Sequence, residues 1–208
     1  MPGMKIAVYG GTGNIGSQIV VEAVHRGHDV TALARREQPV QDGATFAIGD
    51  ATDANAAREI AGAHDVVVSA LGPTRDPAGD PNGFVDVIRS LTDSVGSTRL
   101  LVVGGASSLF AAPGVRLLDT PEFPAIYKRE ATAAAVAFDF LREDARPDLD
   151  WTYLSPAPEI GPGERTGKYS LGLDEPAGEH ITFADYAVAL LDEIETPQHR
   201  RRRFTVAN

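Results

Sequence analysis

Lys5-Ile6-Ala7-Val8-Tyr9-Gly10-Gly11-Thr12-Gly13-Asn14-Ile15-Gly16 is the stretch that decides the fold. A short apolar run enters a glycine-rich turn, and Ile15, Ile19, Val20, Ala23 and Val24 then fall on one helical stripe. Strand, glycine turn and helix in direct succession make a cradle for a diphosphate. Gly10 and Gly13 let the backbone approach the phosphates, and Gly16 lets the helix sit tightly on the sheet. The helix start offers unpaired N–H groups and a partial positive charge to an anion.

The next strand reads Asp29-Val30-Thr31-Ala32-Leu33-Ala34 and runs into Arg35-Arg36. Arg35 follows Gly16 by 19 positions, close to the spacing of about 20 at which a dinucleotide fold reads the adenosine ribose. An acidic residue there would favour NAD(H); a guanidinium suits a 2′-phosphate through a charge-assisted fork. The pair therefore predicts NADP(H) over NAD(H). The alternative is two solvated arginines on a loop.

Beyond these two strands, apolar β-type runs alternate with helical stretches almost to the end of the chain. Strands are predicted over 4–9, 29–34, 44–48, 65–70, 99–103, 151–155 and 203–206, and helices over 14–26, 53–61, 82–95, 122–143 and 182–195. The continuous apolar runs Val66-Val67-Val68 and Leu100-Leu101-Val102-Val103 suit strands covered on both faces. The expectation is an α/β fold, a Rossmann-like doubly wound parallel sheet. At 208 residues and 22.0 kDa, one NAD(P)-binding domain over 1–208 is expected, with irregular residues 156–180 as a small C-terminal lobe on the substrate side. Residues 72–83 and 104–124, rich in proline and glycine, follow strands four and five where such sheets bind ligands.

A formal net charge of −10 argues against nucleic acid, whose binding draws on lysine and arginine. The basic run His199-Arg200-Arg201-Arg202-Arg203 reads as a solvated connection after a helix C-terminus, with a polyanion patch as the alternative. Cysteine is absent, which excludes disulfides and thiolate chemistry and suits a reducing cytoplasm. No run of about 18 apolar residues suggests a membrane span. The histidines have no metal-ligand spacing, so no metal is expected, and Asp192-Glu193 reads as the wet face of an amphipathic helix.

With these segments placed, the chain resembles the atypical short-chain dehydrogenase/reductases. More narrowly it resembles the NAD(P)H-binding NADH-flavin reductase group, with NmrA-like and biliverdin reductase B-like relatives. The likeness covers nearly the whole chain. Its carriers are Gly-Gly-Thr-Gly-Asn-Ile-Gly at 10–16, Gly49-Asp50, Ser69-Ala70-Leu71-Gly72, Val103-Gly104-Gly105-Ala106-Ser107-Ser108-Leu109, Asp119-Thr120-Pro121-Glu122-Phe123-Pro124, Trp151-Thr152-Tyr153-Leu154-Ser155-Pro156-Ala157 and the segment Gly161 to Tyr169. The resemblance implies that Thr12, Gly13, Asn14 and Ile15 meet the pyrophosphate. It implies too that Asp50 and Ala51 lie beside the adenine and that Ala70, Leu71 and Gly72 line the adenosine half. Asp50 could equally serve as a turn or helix-cap residue. Ser107 and Ser108 fall near the nicotinamide, Pro156-Ala157 wall its other side, and Lys128 resembles the ribose-binding lysine of NmrA-like relatives, or is a solvated charge.

The chain departs from the larger family at the proton-exchanging pair, a tyrosine followed four residues later by a lysine. Tyr127 is followed at that spacing by Ala131, Tyr153 falls in a predicted core strand, and Tyr9 precedes the glycine turn. Alcohol dehydrogenation or sugar epimerisation by that route is therefore not expected. A conjugated acceptor needs no such acid, since it takes hydride directly and a proton from water. The expected function is an NADPH-dependent reductase acting on a flavin (FMN or FAD as substrate), a quinone or a similar small molecule, with Ser107, Ser108, Tyr127 and Lys128 as candidate catalytic residues. The alternatives are a non-catalytic NADP(H) sensor and an atypical isomerase or dehydratase. The partners expected are a small-molecule acceptor, no nucleic acid and no membrane, with the chain a monomer or homodimer in the cytoplasm.

Overall fold

The computed structural model describes residues 3–74, 76 and 78–208. The opening run is strand β1 (Lys5–Tyr9), followed by helix α1 (Asn14–His25), β2 (Asp29–Ala34), β3 (Thr45–Ile48), α2 (Ala54–Ala63), β4 (Val66–Ser69), α3 (Gly83–Ser94) and β5 (Arg99–Val103). A hairpin, β6 (Phe110–Ala112) and β7 (Val115–Arg116), precedes α4 (Lys128–Glu143). The chain continues through β8 (Trp151–Pro156), β9 (Glu159–Gly161), β10 (Ser170–Gly172), β11 (His180–Thr182), α5 (Phe183–Glu195) and β12 (Arg202–Ala207).

The main sheet has 8 strands in the order β10-β12-β8-β5-β4-β1-β2-β3. All its pairings are parallel except β10 with β12. From β1 the chain first winds outward through β2 and β3, then returns to β4 on the other side of β1 and winds the opposite way. The reversal opens a crevice at the carboxyl ends of β1 and β4.

The apolar runs of the sequence acquire their meaning here. Ile6 and Val8 enter the core beneath α1 and α5, while Ala7 and Tyr9 enter the one beneath α2, α3 and α4. Val66 and Val68 divide from Val67 in the same way, because successive strand side chains point to opposite faces. Each large apolar side chain so buried contributes about 1.5–3 kcal/mol.

Three departures from the sequence expectations are physical. The long helix begins at Lys128 rather than near 122, because proline disfavours helical backbone at Phe123, Pro124 itself is extended (ψ 122), and the chain makes a 3₁₀ turn over Ala125–Tyr127 first. The 156–180 segment is partly ordered as strands: β9 pairs with β11, and β10 extends the main sheet against β12. Glu193 is no wet-face residue. It is 4% exposed and binds Arg99 at 2.6 Å and His199 Nδ1 at 2.8 Å.

The segment after β9 is held down by carboxylates. Fully buried Asp185 accepts from the N–H groups of Thr166 (2.9 Å) and Gly167 (2.7 Å), the Thr166 hydroxyl (2.8 Å) and Asn208 Nδ2 (2.6 Å). Glu22 of α1, 3% exposed, accepts from Arg165 at 2.7 and 2.9 Å and from Arg26 at 2.7 Å. The Arg165 bonds lower its pKa most, burial opposes them and Arg26 adds to the lowering, so the value falls from 4.5 to about 2. A carboxylate depressed in this way contributes stability above its unfolded pKa and loses it as pH falls toward the folded one. The urea midpoint should therefore drop between about pH 4.5 and pH 2, and Glu22→Gln should remove that part of the dependence. A variant whose profile matches the parent's refutes the assignment.

Candidate functional site

The glycine turn is built by backbone demands that differ from one glycine to the next. Gly10 has φ +75, and a Cβ on it would lie 2.8 Å from the Ala70 carbonyl oxygen; the turn after β1 thus abuts the loop after β4. A Cβ on Gly16 would come within 2.0 Å of the Gly10 oxygen, so the first turn of α1 rests directly on the glycine loop. Gly13 is different: a Cβ there would meet only the Gly10 oxygen, at 3.3 Å. Packing within the protein does not demand glycine at 13, whereas close approach of a ligand to the backbone would.

Gly13 is also the N-cap of α1, with no side chain capping the helix and no acidic residue in its first turn. The amides of Asn14, Ile15 and Gly16 have no acceptor within the helix. Thr12 and Ile15 are half-buried, Gly13 and Asn14 exposed. A diphosphate fits this arrangement, since it would supply the acceptors and negative charge that the helix start lacks.

Three hydrogen bonds bring the rest of the predicted adenosine side to the same edge. Gly10 donates to the Leu33 oxygen at 2.9 Å, Gly49 to the Ala34 oxygen at 3.1 Å and Ala70 to the Tyr9 oxygen at 2.8 Å. Arg35, Arg36 and Asp50 are therefore neighbours of the turn, all three exposed, and neither guanidinium is hydrogen-bonded to a described residue. Asp53, not Asp50, caps α2, accepting from Asn55 and Ala56. Asp50 Oδ1 accepts from the Thr52 N–H (2.9 Å) and hydroxyl (2.7 Å). These bonds hold its carboxyl below the usual range, with burial opposing and Arg35 assisting. Ala51 is buried, Ala70 and Leu71 half-buried, and Gly72 exposed.

Sequence reasoning passed over two neighbours. Ile48, 72% exposed, is in register with Ala34 and sets an apolar surface beside Arg35. Beneath Gly49 lies the Tyr9 ring, whose buried hydroxyl has no hydrogen-bond partner and whose pKa rises to about 12 through burial, Asp50 and Asp53. An exposed isoleucine at a strand end is a faint signal in sequence, and an orphaned hydroxyl is none.

The residues expected on the nicotinamide side follow β5 and β8, farther along the same edge. Ser107 is buried and donates to the Ala131 oxygen at 3.0 Å; Ser108, 1% exposed, accepts from Arg203 at 2.9 Å. Both hydroxyls thus hold structure together, one to α4 and one to β12. Pro156 ends β8 and is buried, with Ala157 beside it. Tyr127 caps α4 and Lys128 opens it, both exposed. Arg129 donates to the carbonyls of Asp76 and Gly79, tying the 72–83 loop to the start of α4; Arg75 and Pro77 of that loop lie outside the described residues.

Of the five tyrosines, only Tyr127 stands free at this edge, at 53% exposure. Tyr153 is fully buried and accepts from the Gly105 N–H at 3.1 Å, its pKa pushed up to about 12 by burial. Tyr186 donates to the Leu154 oxygen at 2.7 Å and Tyr169 to Asp192. Among the described residues no cluster of metal-ligating side chains occurs, and no helix is long and apolar enough to cross a membrane.

Comparison with known proteins agrees with this geometry. An NAD(P)H-binding family model matches residues 10–197. The uncharacterised protein YwnB of Bacillus subtilis strain 168 is 39% identical over 216 residues, spanning 99% of both chains. A Streptococcus pneumoniae TIGR4 protein, described provisionally as an NADH-flavin reductase, is 36% identical with a TM-score of 0.89, over 99% of this chain and 100% of that one. A Bacteroides thetaiotaomicron protein, described provisionally as an epimerase, is 34% identical with a TM-score of 0.86, over 98% and 96%. The family match over residues 10–197 and likeness over the full length, with a glycine turn opening a helix and basic residues closing the second strand, place the chain in the NAD(P)H-binding family of atypical short-chain dehydrogenase/reductases.

Proposed function

We propose that the protein is an NADPH-dependent reductase that passes hydride to a flavin, quinone or similar conjugated small molecule. The observation that supports this reading is the contrast between the two halves of the edge: a glycine turn at an uncapped helix start beside two exposed arginines, and no tyrosine followed four residues later by a lysine. Bound, the cofactor would supply the hydride.

The chain's residues hold and orient. The amides of Asn14, Ile15 and Gly16 take the diphosphate, with Thr12 and Gly13 shaping its approach. Arg35 and Arg36 take the 2′-phosphate; Asp50 accepts from the adenine amino group; Ala51, Ala70, Leu71 and Gly72 line the adenosine. Lys128 reaches the nicotinamide ribose, and Pro156 closes the far wall. Ser107 and Ser108 fix the loop on which an acceptor ring would lie, and the exposed Tyr127 hydroxyl is the donor free to meet an acceptor carbonyl. The proton that completes reduction comes from water. Proximity and stacking are then the main catalytic contribution.

The test is loss of NADPH absorbance in the presence of FMN, FAD, riboflavin and simple quinones. We expect at least one acceptor to accelerate oxidation in proportion to enzyme. Tight binding of both NADP forms without acceleration by any acceptor would overturn the reductase reading and support cofactor sensing. The 34% identical relative described as an epimerase makes an isomerase the next activity to assay in that event.

A further inference from the structure

The basic run at 199–203 is not a uniformly solvated connection. Arg203 is buried, its side chain 1% exposed, with its guanidinium on Asp174 at 2.6 Å, on Ser108 at 2.9 Å and over the Phe138 ring at 4.2 Å. Arg200 pairs with Asp150. Arg201 and Arg202 are exposed and, among the described residues, make no side-chain hydrogen bond or ion pair. Together with Arg142, Arg203 and the single carboxylate of Asp174, they line a cavity of about 150 Å³ floored by Phe138 and Trp151.

Its place in the fold separates it from the cofactor edge. Trp151 begins β8 and Arg202 begins β12, strands parallel to β1, so the cavity lies at the amino edge of the sheet and the glycine turn at the carboxyl edge. The backbone is also bent to make it. Arg201 has φ 57, the one non-glycine residue with positive φ among those described, and its N–H is clamped to the Trp151 oxygen at 2.6 Å. An arginine pays conformational energy in this region that glycine would not. Such an outlier points to function where its side chain is placed for a purpose.

We propose that this cavity is a second anion site, one that takes the phosphate group of a small phosphomonoester or of free phosphate. Asp174 neutralises Arg203, and Arg142 is shared with Asp139 at 3.1 Å and with Glu143. Arg201 and Arg202 remain to fork onto an oxyanion, and two cations match a dianion better than a carboxylate's single charge. The small volume excludes a polyanion chain from entering. Arg203 joins the site to Ser108, so the bound anion lies one side chain away from the loop after β5.

Calorimetric titration of the full chain with inorganic phosphate, with a glycerol phosphate and with acetate, at matched ionic strength, tests this. Phosphate or its ester should bind at least about ten-fold more tightly than acetate, and Arg201→Gly and Arg202→Ala should each weaken that binding about ten-fold, as expected for loss of a charge-assisted contact. The tighter of the two phosphates identifies the source. Arg201→Gly relieves the backbone strain and leaves the cofactor cradle untouched, so its melting temperature should not fall. Equal affinity for acetate, no phosphate heat, or parental affinity in both variants overturns the proposal.

Discussion

Gly16→Ala should unfold the protein far more readily than Gly13→Ala, its neighbour in the glycine turn. The added methyl would lie 2.0 Å from the Gly10 oxygen, 2.8 Å from its carbonyl carbon and 3.1 Å from Gly11 Cα, all backbone atoms that cannot rotate away. Relief requires lifting α1 from the sheet, against the burial of Ile19, Val20 and Ala23. Overpacking of this kind costs about 3 kcal/mol, a large part of the 5–15 kcal/mol typical of a folded chain. Tm should fall by about 10 °C, with cofactor binding lost alongside. Gly13→Ala provides the contrast: one contact at 3.3 Å predicts a stability change within about 1 kcal/mol, yet weakened dinucleotide binding because the methyl stands among the amides. Thermal melts with and without NADPH separate the two. Equal destabilisation in both variants would refute the division of labour between these glycines.

Arg35→Asp should cut NADPH affinity by about 100-fold, about 2.7 kcal/mol, while leaving Tm nearly unchanged because the side chain is exposed. The loss combines a missing charge-assisted fork with repulsion between carboxylate and 2′-phosphate. NADH, which carries a hydroxyl there, should bind as well or better, since an aspartate can accept from the ribose. The parent's preference should also shrink with rising salt, as screening weakens exposed charge pairs. NADPH binding as tight as the parent's with no gain for NADH would show that Arg35 does not read the 2′ position.

The fold was legible because it is written locally. Val66-Val67-Val68 and the stripe from Ile15 to Val24 state their elements within a few residues, and the switch of strand order follows from alternating strands and helices. The glycine turn was legible for the same reason, its glycines being consecutive with the strand and helix they join. What escaped the sequence depends on partners far away along the chain. Glu193 meets Arg99 across 94 positions, Arg203 meets Ser108 across 95, and Glu22 meets Arg165 across 143. Periodicity reports which face of a helix is polar, not whether a cation from another element waits beneath it. The helix start at Lys128 was hidden differently: Glu122 and Phe123 suit a helix by themselves, and it is the extended Pro124, whose ring also disfavours helical backbone at Phe123, that turns the chain aside.

The bonds from Arg165 to Glu22 link parts of the molecule that chemistry would otherwise leave independent. Glu22 lies about two and a half turns beyond Gly13 on the same helix, and a helix of that length is stiff. Residues 165–167 are thereby tied to α1 on one side, with Asp185 anchoring the other side of that stretch. The rod and the stretch laid against it are riveted together at two carboxylates, so cutting either rivet should loosen 165–167 without touching the sheet.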